Sequence, residues 1–225
     1  MRLSIIIPVL NEEPTIAATL ADLDRTEASE VIVVDGGSTD RTAEVVRATS
    51  ARLVVSPRGR AAQMNAGARQ AAGDVLLFLH ADTRLPAGAS RDIRECMADA
   101  RCVGGRFDIR LDSTRPLLRL VGRMISLRSR LTRVATGDQA IFVRRAVFER
   151  LGGFPEMPLM EDVAFSRALK KEGSIACLRA RVTSSARRWE QHGPVRTILL
   201  MWALKLLYLA GVPPTRLKRL YGDAR

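Results

Sequence analysis

Val31-Ile32-Val33-Val34-Asp35-Gly36-Gly37-Ser38-Thr39-Asp40 decides the fold. Four consecutive apolar residues, three of them valine, suit a strand buried on both faces. The carboxylate, the two glycines and the small polar residues after them suit a tight turn into a helix. Working outward, residues 4–9, 53–55 and 75–79 repeat the short apolar run. Between them, residues 14–23, 38–47 and 60–71 space their apolar side chains by three and four, as helices do. Ser38 is the expected N-cap of the second, with Asp40 in its first turn. Strand and helix alternating in this way predict an α/β protein with a Rossmann-like, mostly parallel sheet flanked by helices.

In such sheets ligands gather at the carboxyl ends of the strands. Three of those ends are polar: Pro8-Val9-Leu10-Asn11-Glu12, Asp35-Gly36-Gly37 and His80-Ala81-Asp82. One acidic turn is explained by a loop or a helix cap, but three on one edge point to a binding site. Gly36 and Gly37 would let a ligand approach the backbone, and Asp35 could accept hydrogen bonds from a base or ribose. Neither GxGxxG nor GxxxxGK[ST] occurs, which excludes the common dinucleotide and P-loop sites. Asp82 could hold Mg²⁺ or Mn²⁺ against a diphosphate, or simply cap the next helix.

Beyond residue 100 the strict alternation is lost. Residues 102–111, with a Gly104-Gly105 turn, and 140–143 read as strands. Residues 160–171, opening with Glu161-Asp162, read as a helix. Residues 115–133 form a basic amphipathic helix, with Arg115, Arg119 and Arg123 on one face and Leu117, Val121, Met124 and Ile125 on another. Residues 194–209 form a strongly apolar C-terminal helix. The run 197–212 is too short to cross a bilayer, and suits burial, a homodimer contact or an in-plane membrane helix.

The 225 residues carry a formal charge of +12, nearly all the cations being arginine, which favours anionic partners such as nucleotides or an anionic membrane surface. With 4% aromatic residues and no recognised module, no nucleic-acid partner is expected. Cys96, Cys102 and Cys177 lack metal or disulfide spacing, so a reducing, cytoplasmic setting is expected. The N-terminal run, interrupted by Pro8, reads as a first strand and not a signal peptide.

These motifs, in order, resemble the family 2 glycosyltransferases, inverting enzymes of the GT-A fold that use nucleotide-diphosphate sugars. Ser4-Ile5-Ile6-Ile7-Pro8 with Asn11-Glu12 is similar to the family's opening strand and loop, and Val33 through Asp40 resembles its DDGSxD segment. Arg60 to Asn65 with Gly67 is similar to its basic-and-asparagine segment, and His80-Ala81-Asp82 stands in place of DxD. Gly137-Asp138-Gln139, Leu151-Gly152-Gly153-Phe154 and Glu161-Asp162 extend the resemblance to about four-fifths of the chain. It implies that Pro8, Asn11, Glu12 and Asp35, with Gly36 and Gly37, line the base and ribose site. Arg60, Asn65 and His80 would stand near the nucleotide, and Asp82 would bind Mn²⁺ or Mg²⁺. Asp162 would be the base, with Glu161 as neighbouring candidate. Gly105, Gly137, Asp138, Arg188 and Trp189 would shape the acceptor side, and His192 would be an extra metal ligand or a surface residue.

His80 departs from the first aspartate of DxD, which puts metal dependence in question. Ser185-Ala186-Arg187-Arg188-Trp189 keeps the Arg-Trp of QxxRW without its glutamine, which favours transfer of a single sugar over polymerisation. The expectation is one domain, residues 1–225, with a nucleotide-sugar half to residue 100 and an acceptor half with the C-terminal helices. The alternatives are a polyprenyl-phosphate glycosyltransferase peripheral on the inner face of the cell membrane, and a non-catalytic nucleotide-sugar-binding module.

Overall fold

Residues Leu3–Val9 form a strand, β1, in which every side chain but that of Pro8 is buried. Ile5 and Ile7 enter one hydrophobic cluster and Ile6 the other, so the strand is covered on both faces. In a computed structural model describing residues 1–23 and 28–222, the predicted alternation follows. Helix α1 (Glu13–Leu23), β2 (Glu30–Asp35), α2 (Thr42–Arg47), β3 (Arg52–Val55), α3 (Arg60–Gln70) and β4 (Val75–Phe78) succeed one another. The second half contains β5 (Thr83–Arg84), α4 (Ala89–Met97), β6 (Cys102–Asp112), α5 (Pro116–Thr132), a 3₁₀ turn (Gly137–Gln139) and β7 (Ile141–Arg144). After these come α6 (Arg145–Arg150), α7 (Glu161–Leu169), β8 (Ser174–Ser185), α8 (Arg187–His192), α9 (Pro194–Leu209) and α10 (Pro214–Tyr221).

One eight-stranded sheet runs β3-β2-β1-β4-β7-β6-β8-β5. The steps from β3 to β4 are parallel. β7 is antiparallel to both β4 and β6, and β8 is parallel to β6. Two reversals around β7 therefore return β6 to the direction of β4. The carboxyl ends of β1, β2, β4 and β6 share one edge, and the turn that feeds β7 lies there too.

Helix α3 lies close against the sheet because Gly67 has no side chain: a Cβ there would come within 2.5 Å of Ile6 Cγ2 and 2.9 Å of Val34 Cγ2. On the same side Phe78, Phe148, Phe154 and Phe165 form an aromatic cluster with ring centroids 4.4 Å apart for the Phe154–Phe165 pair. This cluster carries the loop 151–154 and α7 onto the end of β4, and so places α7 beside the polar edge.

Several expectations are corrected. Helix α2 begins at Thr42 and Ser38 is not its N-cap, because its backbone N–H and hydroxyl both bond to the Asp35 carboxylate. Gly104 and Gly105 do not form a turn but lie inside β6, where a Cβ would meet the carbonyls of Phe142 and Ala176 at 2.5 Å. Helix α4 and the twelve-residue β8 have no counterpart in the sequence reading. In α5, Val121 is buried while Leu117 and Met124 are exposed, so the apolar residues are divided between opposite faces. Among the described residues no helix is long and apolar enough to cross a membrane.

Replacing Gly67 with alanine should destabilise the protein by about 1–3 kcal/mol through overpacking. Urea unfolding checks this, and an unchanged midpoint would show that α3 can move off the sheet freely.

Candidate active site

The first rim of the site is braced by its own side chains. Asn11, in the left-handed conformation (φ 54°), donates its backbone N–H to Ser38 Oγ and accepts the Thr39 N–H through Oδ1, both at 2.8 Å. Glu12 N–H donates to Thr42 Oγ1 at 2.8 Å. The loops after β1 and β2 are thereby locked together, with Asp35 buried between them and Pro8 paired beside Val34. Beneath them Gln63, fully inside α3, donates its amide to the carbonyls of Val9 and Val34 at 2.7 and 2.8 Å. A Cβ on Gly36 would strike the Gln63 amide at 2.9 Å, whereas Gly37 (φ 88°) has open space around it. Gly36 thus answers to Gln63, and Gly37 leaves its backbone open to a ligand.

The second rim gathers charge. Asp162, at the start of α7, accepts the Gly137 backbone N–H through Oδ2 at 2.6 Å and the Val163 N–H through Oδ1 at 2.7 Å. A Cβ on Gly137 would lie 2.6 Å from His80 Nε2 and 3.6 Å from Asp162 Oδ2, so the end of β4, the turn before β7 and α7 meet at this glycine. Thr136 caps that turn, donating its hydroxyl to Asp138, while Gln139 reaches back to the Phe107 carbonyl of β6. Glu161 is buried, with Arg60 Nη1 at 3.6 Å from its Oε1.

Burial and the Asp162 charge raise the Glu161 carboxyl above its ordinary range against the pull of Arg60. Burial also raises Asp138, with Asp162 adding to the shift and Arg128 opposing it. Asp82 is raised by burial and by the charge of Glu12, against Arg187 and Arg60. His80 is pushed well below the ordinary imidazole range by burial and by Arg60, and its Nε2 is buried with no hydrogen-bond partner among the described residues.

The remaining expected residues have structural partners of their own. The Asn65 amide donates to the Phe154 carbonyl at 2.8 Å and accepts the Phe154 N–H at 2.9 Å, bracing α3 against the 151–154 loop. Gly105 is inside the sheet, level with Phe142. Trp189 packs partly against the core, and Arg188 lies over the Tyr221 ring, 3.7 Å from its centroid, and donates to the Tyr221 carbonyl at 3.2 Å. His192 is exposed at the end of α8, its Nδ1 3.3 Å from the Arg188 carbonyl.

Among the described residues no group of three or more His, Cys, Asp or Glu is placed to hold a metal ion. Asp82 nevertheless fits one shared with a diphosphate, since such ions take only one or two protein carboxylates and draw their other oxygens from phosphate and water. The partly buried Asp82 carboxylate, in the field of Glu12, is a hard oxygen donor that a divalent cation would suit.

The family model described as Glycosyl transferase family 2 matches residues 4–151, and the chain belongs to that family. It is 36% identical over 96 residues to an undecaprenyl-phosphate 4-deoxy-4-formamido-L-arabinose transferase of Pseudomonas aeruginosa, covering 37% of this chain and 28% of that protein. It is 26% identical to a probable glycosyltransferase, YdaM, of Bacillus subtilis, covering 84% and 50%. The chain thus spans half or less of the length of these curated relatives. Among solved structures, it is similar to glucosyl-3-phosphoglycerate synthase of Mycobacterium tuberculosis, solved with Mn²⁺, UDP and glucosyl-3-phosphoglycerate. There the TM-score is 0.63 at 21% identity, covering 94% of this chain and 81% of that one. The S. aureus TarS fragment in complex with UDP-GlcNAc gives 0.65 at 22%, covering 82% and 58%. At this identity the likeness is one of fold, and the mixed sheet is the GT-A fold.

Gln63 and Arg128 were not singled out from the sequence. A glutamine among the alanines of α3 was the available signal for the first. Arg128 on α5 is partly buried, with Nε and Nη2 unpartnered among the described residues, and it lies in the field of Asp138 and Asp162. In sequence it is one arginine of six on that segment.

His80 should therefore remain neutral as the pH falls from 8 to about 6.5, the ordinary imidazole value. Because the unfolded chain takes up the proton that the folded site resists, His80 withdraws stability as the pH falls below that value. Histidine NMR read against His80→Gln checks this, and a His80 midpoint at or above the ordinary value would contradict the burial described.

Proposed function

We propose that the protein transfers a single sugar, with inversion, from a nucleotide-diphosphate donor to an acceptor bound beside α7. The observation that carries this reading is the Asp162 carboxylate, oriented by two backbone N–H groups and facing the same sheet edge as Asp35, Gly37 and Asp82. Asp35 and the open backbone at Gly37 would receive the nucleoside, and Arg60 would stand beside the sugar-diphosphate. Asp82 would hold Mn²⁺ or Mg²⁺, whose charge would offset that developing on the leaving diphosphate.

Asp162 would accept the proton of the acceptor hydroxyl as its oxygen forms a bond to the anomeric carbon. The bond from that carbon to the diphosphate oxygen breaks, and its electron pair leaves with the nucleoside diphosphate. Attack opposite the leaving group inverts the anomeric centre. Glu161 suits the role less well, being buried and held with Arg60.

A second reading is a polyprenyl phosphate as acceptor at the inner face of the cell membrane. It is favoured by the relative named as an undecaprenyl-phosphate transferase and by Arg128, whose Nε and Nη2 are unpartnered among the described residues and which lies in the field of Asp162.

The test uses water as acceptor. A panel of UDP-, GDP-, CDP- and dTDP-sugars is incubated with Mn²⁺ and the free nucleoside diphosphate measured. One donor should be hydrolysed, and Asp162→Asn should slow that release at least about 100-fold while nucleotide affinity stays within about twofold. Full turnover in the variant would move the base elsewhere.

A further inference from the structure

Helices α5 and α9 each bury one face and leave an apolar ridge on the opposite face. On α5 the buried residues are Leu118, Val121, Gly122, Ser126 and Ser129. Leu117, Leu120, Met124, Leu127 and Leu131 recur at three and four on the other side, all exposed, Leu131 to 77%. On α9 only Thr197 and Leu204 are buried, while Val195, Leu199, Trp202, Leu206 and Leu209 form a second exposed ridge, Trp202 to 67%. Two ridges with this regular period are far more than scattered surface leucines.

The helices lie on one side of the molecule. Ser113, just before α5, donates to Glu190 of α8 at 2.9 Å, and α8 packs on α9. Lys205 of α9 lies in the field of Arg128 of α5, which in turn lies in the field of Asp138 and Asp162. Both helices thus reach toward the acidic rim of the site.

Their charge identifies the occupant. Residues 115–133 contain six arginines and no acid, and residues 194–221 contain three arginines, two lysines and no acid. Arg115, Arg119, Arg123, Arg196, Arg216 and Arg219 are exposed. A second copy of the chain would bring cations against cations. An anionic bilayer instead offers hydrocarbon to the ridges and phosphate to the arginines, with Trp202 suited to the headgroup level. Neither helix is built to span a membrane, so each would lie in its plane.

We propose that the face formed by α5 and α9 docks in plane on an anionic phospholipid bilayer and holds the Asp162 rim at the lipid surface. The docking rests on the ridges and their charge alone. Only its use, bringing an amphiphilic acceptor to the site, rests on the transferase reading.

The full chain, without nucleotide, is floated with vesicles of phosphatidylcholine and of phosphatidylcholine mixed with phosphatidylglycerol, at low and high salt. Binding to the anionic vesicles should exceed binding to the neutral ones at least about tenfold, weaken with salt and shift Trp202 emission to the blue. Leu127→Glu with Trp202→Glu should lose at least about tenfold of that binding with unchanged circular dichroism. Arg119→Gln with Arg123→Gln, which keeps both ridges, should bind less and respond less to salt. No binding to anionic vesicles at low salt, or binding untouched by either pair, would overturn the proposal. So would a dimer in sedimentation velocity that Leu127→Glu with Trp202→Glu dissociates, since a second copy would then cover the face. Because no nucleotide is present, none of these outcomes bears on the transfer reaction.

Discussion

The hydrogen bond from the Gly137 backbone to Asp162 is the contact on which the site depends. It joins α7 to the turn before β7 at a point where no side chain fits, because His80 at the end of β4 fills the space a Cβ would take. The turn is fixed from behind by its own cap and by the Gln139 bond to β6. Four parts of the fold therefore agree on where one carboxylate stands, and side-chain rotation at Asp162 would break a backbone bond. Such over-determination is what a positioned proton acceptor needs.

Around this point the chain divides its polar residues between bracing and exposure. Asn11, Gln63 and Asn65 spend their hydrogen-bonding groups on backbone: Asn11 on the loop after β2, Gln63 on two strand ends, Asn65 on Phe154. Asp35 is buried and holds Ser38, and Asp162 is held by two backbone N–H groups, which leaves Gly37 open, Asp82 half-buried and Arg60 half-exposed at the edge. The acids Asp82, Asp138 and Glu161 are desolvated enough for their proton affinities to rise, and the arginines oppose the rise. A diphosphate and a cation entering together would be received by both signs of charge, without leaving a net buried charge unpaired.

The first half of the fold was legible because its strands are continuous apolar runs and its helices keep a 3.6-residue period, and both signals are local. The polar ends of β1, β2 and β4 could be read for the same reason. Their partners could not: Gly137 and Asp162 are 25 residues apart and meet only through β7's reversal, which no local pattern encodes. β8 is hidden because its apolar run Ile175 to Leu178 is broken by Arg179 and Arg181, and because it is only half buried for most of its length. Ser38 was misread as a cap because a serine before a helix satisfies the local rule, while Asp35, three residues back, takes its bonds first. The pairing of Asn65 with Phe154, 89 residues away, is likewise beyond any local pattern.

Calorimetric titration with UDP, GDP, CDP and dTDP, each with Mn²⁺ and again with EDTA, tests the account at its root. One nucleotide should bind in the micromolar range with Mn²⁺, weaken at least about tenfold in EDTA and weaken similarly in Asp82→Ala. No binding to any of the four would contradict a donor site at the ends of β1, β2 and β4. Equal binding with and without the cation would contradict the role assigned to Asp82.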